Sequence, residues 1–116
     1  MPAVQLRTSF LWAVLERAQP RTERWAQLLN PEAFAHGVSL RLRDGNGVVH
    51  IANEATINRG LWRSEGGQRA PRPTGITKEI FDQIQRANGD QNADELTPEA
   101  ADALIQVGLF GRVRFS

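Results

Sequence analysis

Between Val38 and Ala52 the apolar residues change their spacing from a helical three or four to two, and this switch limits what the chain can fold into. Val38, Leu40 and Leu42 alternate with Ser39, Arg41 and Arg43; Asp44-Gly45-Asn46-Gly47 supplies turn chemistry; Val49 and Ile51 alternate with His50 and Ala52. A period of two sends successive side chains to opposite faces of a strand, so the segment predicts a β-hairpin. A two-residue turn at Gly45-Asn46 pairs Leu42 with Val49, and one at Asp44-Gly45 pairs Leu40 with Val49. A turn at Asn46-Gly47, the best local dipeptide, sets Asp44 opposite Val49 on the apolar face. All three registers put Val38, Leu40, Leu42, Val49 and Ile51 inward and Arg41, Arg43 and His50 outward.

Helical grammar flanks the hairpin. Leu6, Phe10, Val14 and Ala18 recur every fourth residue and predict a helix over Thr8–Ala18, with a second short helix from near Thr22 carrying Trp25, Leu28 and Leu29. Asn30 to Gly37 reads as one helical turn, with Pro31 at its first position and Gly37 as its left-handed exit. Further on, Thr77 caps a helix with the stripe Ile80, Phe81, Ile84 and Ala87 and a stop at Asn88-Gly89; Thr97-Pro98-Glu99 opens another that ends at Gly108. Gly111 to Phe115 alternates again and predicts a C-terminal strand with Val113 and Phe115 inward. From Asn58 to Gly75 no period fits, and residues 64–75, rich in Gly, Pro and Arg, read as a flexible loop. The expectation is therefore a single α+β domain over residues 1–116. It has N-terminal helices, a β-hairpin extended to a small antiparallel sheet by the C-terminal strand, and two helices in the C-terminal half.

Composition removes whole classes of chemistry. Without cysteine there is no disulfide, thiol nucleophile or thiolate metal site, and two histidines are too few for most zinc sites, so neither metal nor cofactor is expected. Counted from Asp90 as a calcium loop, the glycine due at the sixth position is Glu95 and the bidentate glutamate due at the twelfth is Ala101. The longest strongly apolar run, Phe10–Leu15, is far short of the ~20 residues that cross a bilayer. With no secretory pattern at the N-terminus, a cytoplasmic location is expected. Thirteen of the fourteen basic residues are arginine, a bias that GC-rich prokaryotic coding also produces.

The net charge of +1 conceals two poles: residues 1–75 carry ten arginines against six acids, and residues 76–116 four bases against seven acids. If the C-terminal strand joins the hairpin, its outward face gathers Arg41, Arg43, His50, Arg112 and Arg114 with Phe110, and the adjoining loop adds Arg59, Trp62, Arg63, Arg69 and Arg72. Arginines interleaved with an aromatic suit a phosphate backbone with unpaired bases, and they suit an acidic protein surface equally. A solvated sheet face needs polar residues in any case. The expected function is a small non-enzymatic binding module that uses this face and loop to engage nucleic acid or an acidic protein partner. Two alternatives stand beside it: an oligomeric assembly or regulatory protein of a bacterium or mobile element, and a small metal-independent nuclease. In the nuclease reading His50 is the base, Arg41 holds phosphate, and Glu54 or Glu65 lies nearby.

Overall fold

The first apolar stripe runs further than its sequence signal. In the computed structural model, which describes residues 3–65 and 73–115, helix α1 spans Ala3–Thr22 and buries Phe10, Leu11, Val14, Leu15 and Ala18. Pro20 is accommodated because it lies in the last turn, where a missing N–H costs one terminal bond. The expected second helix is absent. Ala26–Leu28 instead forms strand β1, paired antiparallel with β2 (Leu40–Asp44) so that Ala26 faces Asp44 and Leu28 faces Leu42. A three-residue strand has little preference of its own, and the backbone of β2 supplies the bonds that decide its conformation.

The turn expected after Asn30 is present as α2 (Pro31–Ala35), with Gly37 at φ 91° beyond it. Asn30 holds the N-cap position, but its side chain makes no capping bond. Its side chain ties the loop to the sheet by donating to the Ser39 carbonyl at 2.8 Å and accepting the Arg41 N–H at 2.7 Å.

The hairpin closes with β3 (Val49–Ala52), but in a register no two-residue turn can produce: Arg43 pairs with Val49, Leu42 with His50, Arg41 with Ile51 and Leu40 with Ala52. Asp44 N–H donates to the Val48 carbonyl at 2.9 Å, leaving Gly45, Asn46 and Gly47 as a three-residue loop. Gly47, at φ 82°, takes the left-handed position such loops require. Asp44 Oδ1 accepts the N–H groups of Asn46 and Val48 at 2.8 and 3.0 Å and holds the loop in shape. An odd loop reverses the parity of the following strand. Leu40 and Leu42 are buried as expected, whereas Val49 and Ile51 face outward and His50 and Ala52 face inward. Val38, just before β2, is also exposed.

The sheet has the order β1-β2-β3, so its third strand is β1 and the expected C-terminal strand does not form. Residues 111–115 run as an irregular tail because the side chain of Gln106 satisfies the backbone groups that a strand would need. Gln106 Oε1 accepts the N–H groups of Arg114 (2.8 Å) and Phe115 (2.7 Å), and Nε2 donates to the Phe115 carbonyl at 2.8 Å.

A helix without an expected counterpart, α3 (Glu54–Glu65), begins where Asn53 Oδ1 accepts the N–H groups of Ala55 and Thr56. Its buried face is Thr56, Ile57, Gly60, Leu61 and Ser64, a helical spacing carried largely by small or polar residues. The two expected C-terminal-half helices are α4 (Lys78–Asp90) and α5 (Pro98–Phe110), each capped by the threonine before it. Both continue past their expected stops, to left-handed residues at Gln91 and Gly111. Every residue from Ala100 to Gly108 is buried, so α5 is the central helix of the α+β fold. No helix among the described residues is long and apolar enough to cross a membrane.

Candidate functional site

The open face of the sheet sets cations beside aliphatics. Arg41 and Arg43 project from β2, cross-strand from Ile51 and Val49, and Gln27 flanks Arg43 from β1. Val49 is 43% and Ile51 57% exposed, with Val48 and Val38 also exposed near the strand ends. Among the described residues neither guanidinium makes an ion pair. The face is therefore cationic along β2 and apolar along β3, where the sequence implied arginines and His50 interleaved with an aromatic.

His50 lies on the other side. Its Nε2 meets Asp44 Oδ2 at 2.8 Å, with side-chain exposures of 17% and 0%, and its ring stands edge-on to Phe110 at 5.0 Å between centroids. The hydrogen bond from His50, helped by the Val48 and Asn46 N–H groups and opposed by burial, holds the Asp44 carboxyl below its usual range. Arg41 and His50 point to opposite faces of the sheet, so the pairing required for a nuclease is not assembled.

Phe110 turns inward with His50 and joins an aromatic group. Trp25 stacks on Phe115 with centroids 5.0 Å apart and planes 1° from parallel, Phe110 meets both edge-on, and the Arg114 guanidinium covers Phe110 and Phe115 at 5.5 and 5.4 Å. Beneath them, Asp102 accepts hydrogen bonds from Thr22 Oγ1 (2.6 Å), Trp25 Nε1 (2.9 Å) and Gln106 Nε2 (2.8 Å). Burial raises the Asp102 pKa against the pull of these donors and of Arg21. Every polar atom of the Gln106 side chain is engaged, and the group serves to pin the tail.

On α3 the two arginines bond the end of α5. Arg63 Nη1 donates to the carbonyls of Val107 (2.9 Å) and Gly108 (3.1 Å), and Arg59 Nε to that of Gly108 (3.2 Å), so both guanidinium groups sit at the carbonyl end of α5, where a positive charge is favoured. Trp62 has no such role: it is 76% exposed, while Trp25 is buried and Trp12 packs against the core. Trp62 borders a cleft of about 300 Å³ with Leu61, Asn58, Arg59 and Arg7. Arg7 is a site residue that sequence reasoning missed. It donates to Asn58 Oδ1 at 3.1 Å and to Asn88 Oδ1, partners far away in the chain, and its guanidinium covers the Phe10 ring at 5.6 Å.

Arg112 and Arg114 are exposed on the tail, and Arg69 and Arg72 lie outside the described residues, as does most of the expected loop. The single basic surface expected from the sequence is thus distributed over the sheet face, the outer face of α3 and the tail. Among the described residues no three His, Asp or Glu side chains are grouped to hold a metal ion. The chain matches no protein-family model, and no curated protein or solved structure shows significant similarity to it.

Proposed function

We propose that the chain is a non-enzymatic binding module whose open sheet face docks an acidic amphipathic helix of a partner protein. The observation that carries this reading is the pairing of Arg41 and Arg43 with the exposed aliphatics Ile51 and Val49 on one face. A phosphate backbone would satisfy the arginines and leave the aliphatics against a strongly hydrated surface, whereas a protein helix can satisfy both at once. The spacing fits. Alternate residues on a strand are about 6.7 Å apart, neighbouring strands about 4.8 Å apart, and residues four apart on a helix rise about 6 Å. Acidic residues at i and i+4 then meet Arg41 and Arg43, and an adjacent apolar stripe meets Val49 and Ile51.

The test is a synthetic peptide helix with glutamates at i, i+4 beside a leucine stripe, measured by fluorescence anisotropy against the same peptide with lysines for glutamates. The glutamate peptide is expected to bind, more weakly as salt rises, and Arg41→Ser with Arg43→Ser, or Ile51→Ser alone, to weaken it by about tenfold. Equal binding of the two peptides, or indifference to these substitutions, overturns the reading. Binding of mixed-sequence DNA that depends on Arg41 and Arg43 while the peptide fails would favour nucleic acid at this face.

A further inference from the structure

On a different surface, we infer that the Trp62 cleft binds a nucleotide, with the base stacked on the indole and the phosphate held by Arg7 and Arg59. Asn58, Arg59 and Trp62 fall on one outward face of α3 because the opposite face, from Thr56 to Ser64, is committed to the interior. The cleft they form with Arg7 has the volume of a small ligand site and, among the described residues, no carboxylate in its lining. Both arginines are already ordered. Arg7 is held between Asn58, Asn88 and the Phe10 ring, and Arg59 by the Gly108 carbonyl. Each keeps further N–H donors for an anion, and fixing the side chains in advance lowers the entropy lost on binding. Two placed guanidinium groups beside an exposed indole complement a ligand that joins a planar ring to a phosphate.

A free nucleotide and a single nucleic-acid strand both present this chemistry, and the experiment separates them. AMP, adenosine, inorganic phosphate, phosphotyrosine and an oligodeoxyadenylate of about twelve nucleotides are titrated against the full chain. Quenching of indole fluorescence is followed, with anisotropy of the labelled oligonucleotide as a second readout. AMP and the oligonucleotide are expected to quench, with adenosine and phosphate each binding at least tenfold more weakly than AMP. Trp62→Leu, which alters an exposed position and leaves the core intact, should abolish quenching and raise the anisotropy Kd by about tenfold. Arg7→Gln should raise it too, and two phosphate contacts give a log–log salt slope of about −1.4. An oligonucleotide more than tenfold tighter than AMP identifies a strand, and equal affinity a free nucleotide. Indifference to Trp62→Leu, phosphate matching AMP, or phosphotyrosine exceeding AMP overturns the site. Loss of binding in Arg41→Ser with Arg43→Ser does so as well, because it moves the anion to the sheet face, so failure here is distinguishable from failure of the peptide-docking reading.

Discussion

Asp44 shows how one residue carries two duties of which the sequence displays only one. As a turn residue it accepts the Asn46 and Val48 N–H groups, which any Asp-Gly-Asn-Gly stretch suggests. Its other oxygen bonds His50, and that contact exists only because the three-residue loop turns His50 inward. The folded-state pKa of Asp44 is lowered, so the native protein releases this proton more readily than the unfolded chain. Its contribution to stability is present above the unfolded value near 3.8 and is lost as pH falls through the lower folded value. In urea denaturation from about pH 2.5 to 6, the stability difference between the parent chain and Asp44→Asn is therefore expected to be largest at the upper end and to shrink on acidification. A difference that grows as pH falls would contradict the assignment. Asp102 acts with opposite sign: its raised folded pKa means that stability falls as pH climbs from the unfolded value towards the folded one.

At the scale of elements, the contact between α3 and α5 depends on missing side chains. A Cβ at Gly60 would lie 2.3 Å from the Leu104 carbonyl oxygen, and one at Gly108 2.1 Å from that of Thr56. Both obstacles are backbone, so relief requires the helices to separate. Such overpacking costs about 1–3 kcal/mol or more, which outweighs the gain of up to ~1 kcal/mol in helix propensity. Gly60→Ala and Gly108→Ala are each expected to lose about 2 kcal/mol and on the order of 8 °C in Tm by calorimetry. Gly89 in α4 is the control: nothing lies within 4 Å of its added Cβ, and Gly89→Ala should be neutral or stabilising by about 0.5–1 kcal/mol. Unchanged Tm in all three would mean that the helices are not in contact at these positions. This interface also explains why α3 was not legible. Pattern reading follows large apolar residues, and on the buried face of α3 only Ile57 and Leu61 qualify; Thr56, Gly60 and Ser64 are buried because the backbones approach closely.

For the molecule as a whole, Gln106 is the point where the end of the chain is fastened to the central helix. Through Asp102 the same network reaches Thr22 and Trp25 by buried bonds, so the end of α1, α5 and the tail share one network. Gln106→Leu keeps much of the side-chain volume but removes partners from two N–H groups and a carbonyl of the tail. Amide exchange at Arg114 and Phe115 is expected to lose its protection while the Val113 N–H, which donates to the Thr74 carbonyl at 2.8 Å, is less affected. The loss of stability should be about 1–3 kcal/mol. Retained protection at both amides would show that something else holds the tail.

What the sequence determined by itself is whatever a few neighbouring residues can complete among themselves. The threonine caps of α4 and α5 accept the N–H three residues on, and the stripes of α1 and α4 bury Phe10, Val14 and Ala18 and Ile80, Ile84 and Ala87. Only the tertiary structure decided that residues 26–28 pair as a strand, that the C-terminal residues bond to a glutamine in place of a strand, and that one extra loop residue turns His50 inward and Val49 and Ile51 outward. It alone brings Arg7 to Trp62. The pairing of β1 and the bonds of Arg7 join partners distant in the chain, the loop and tail bonds depend on which nearby backbone group arrives, and neither the local period nor the turn residues encode that choice.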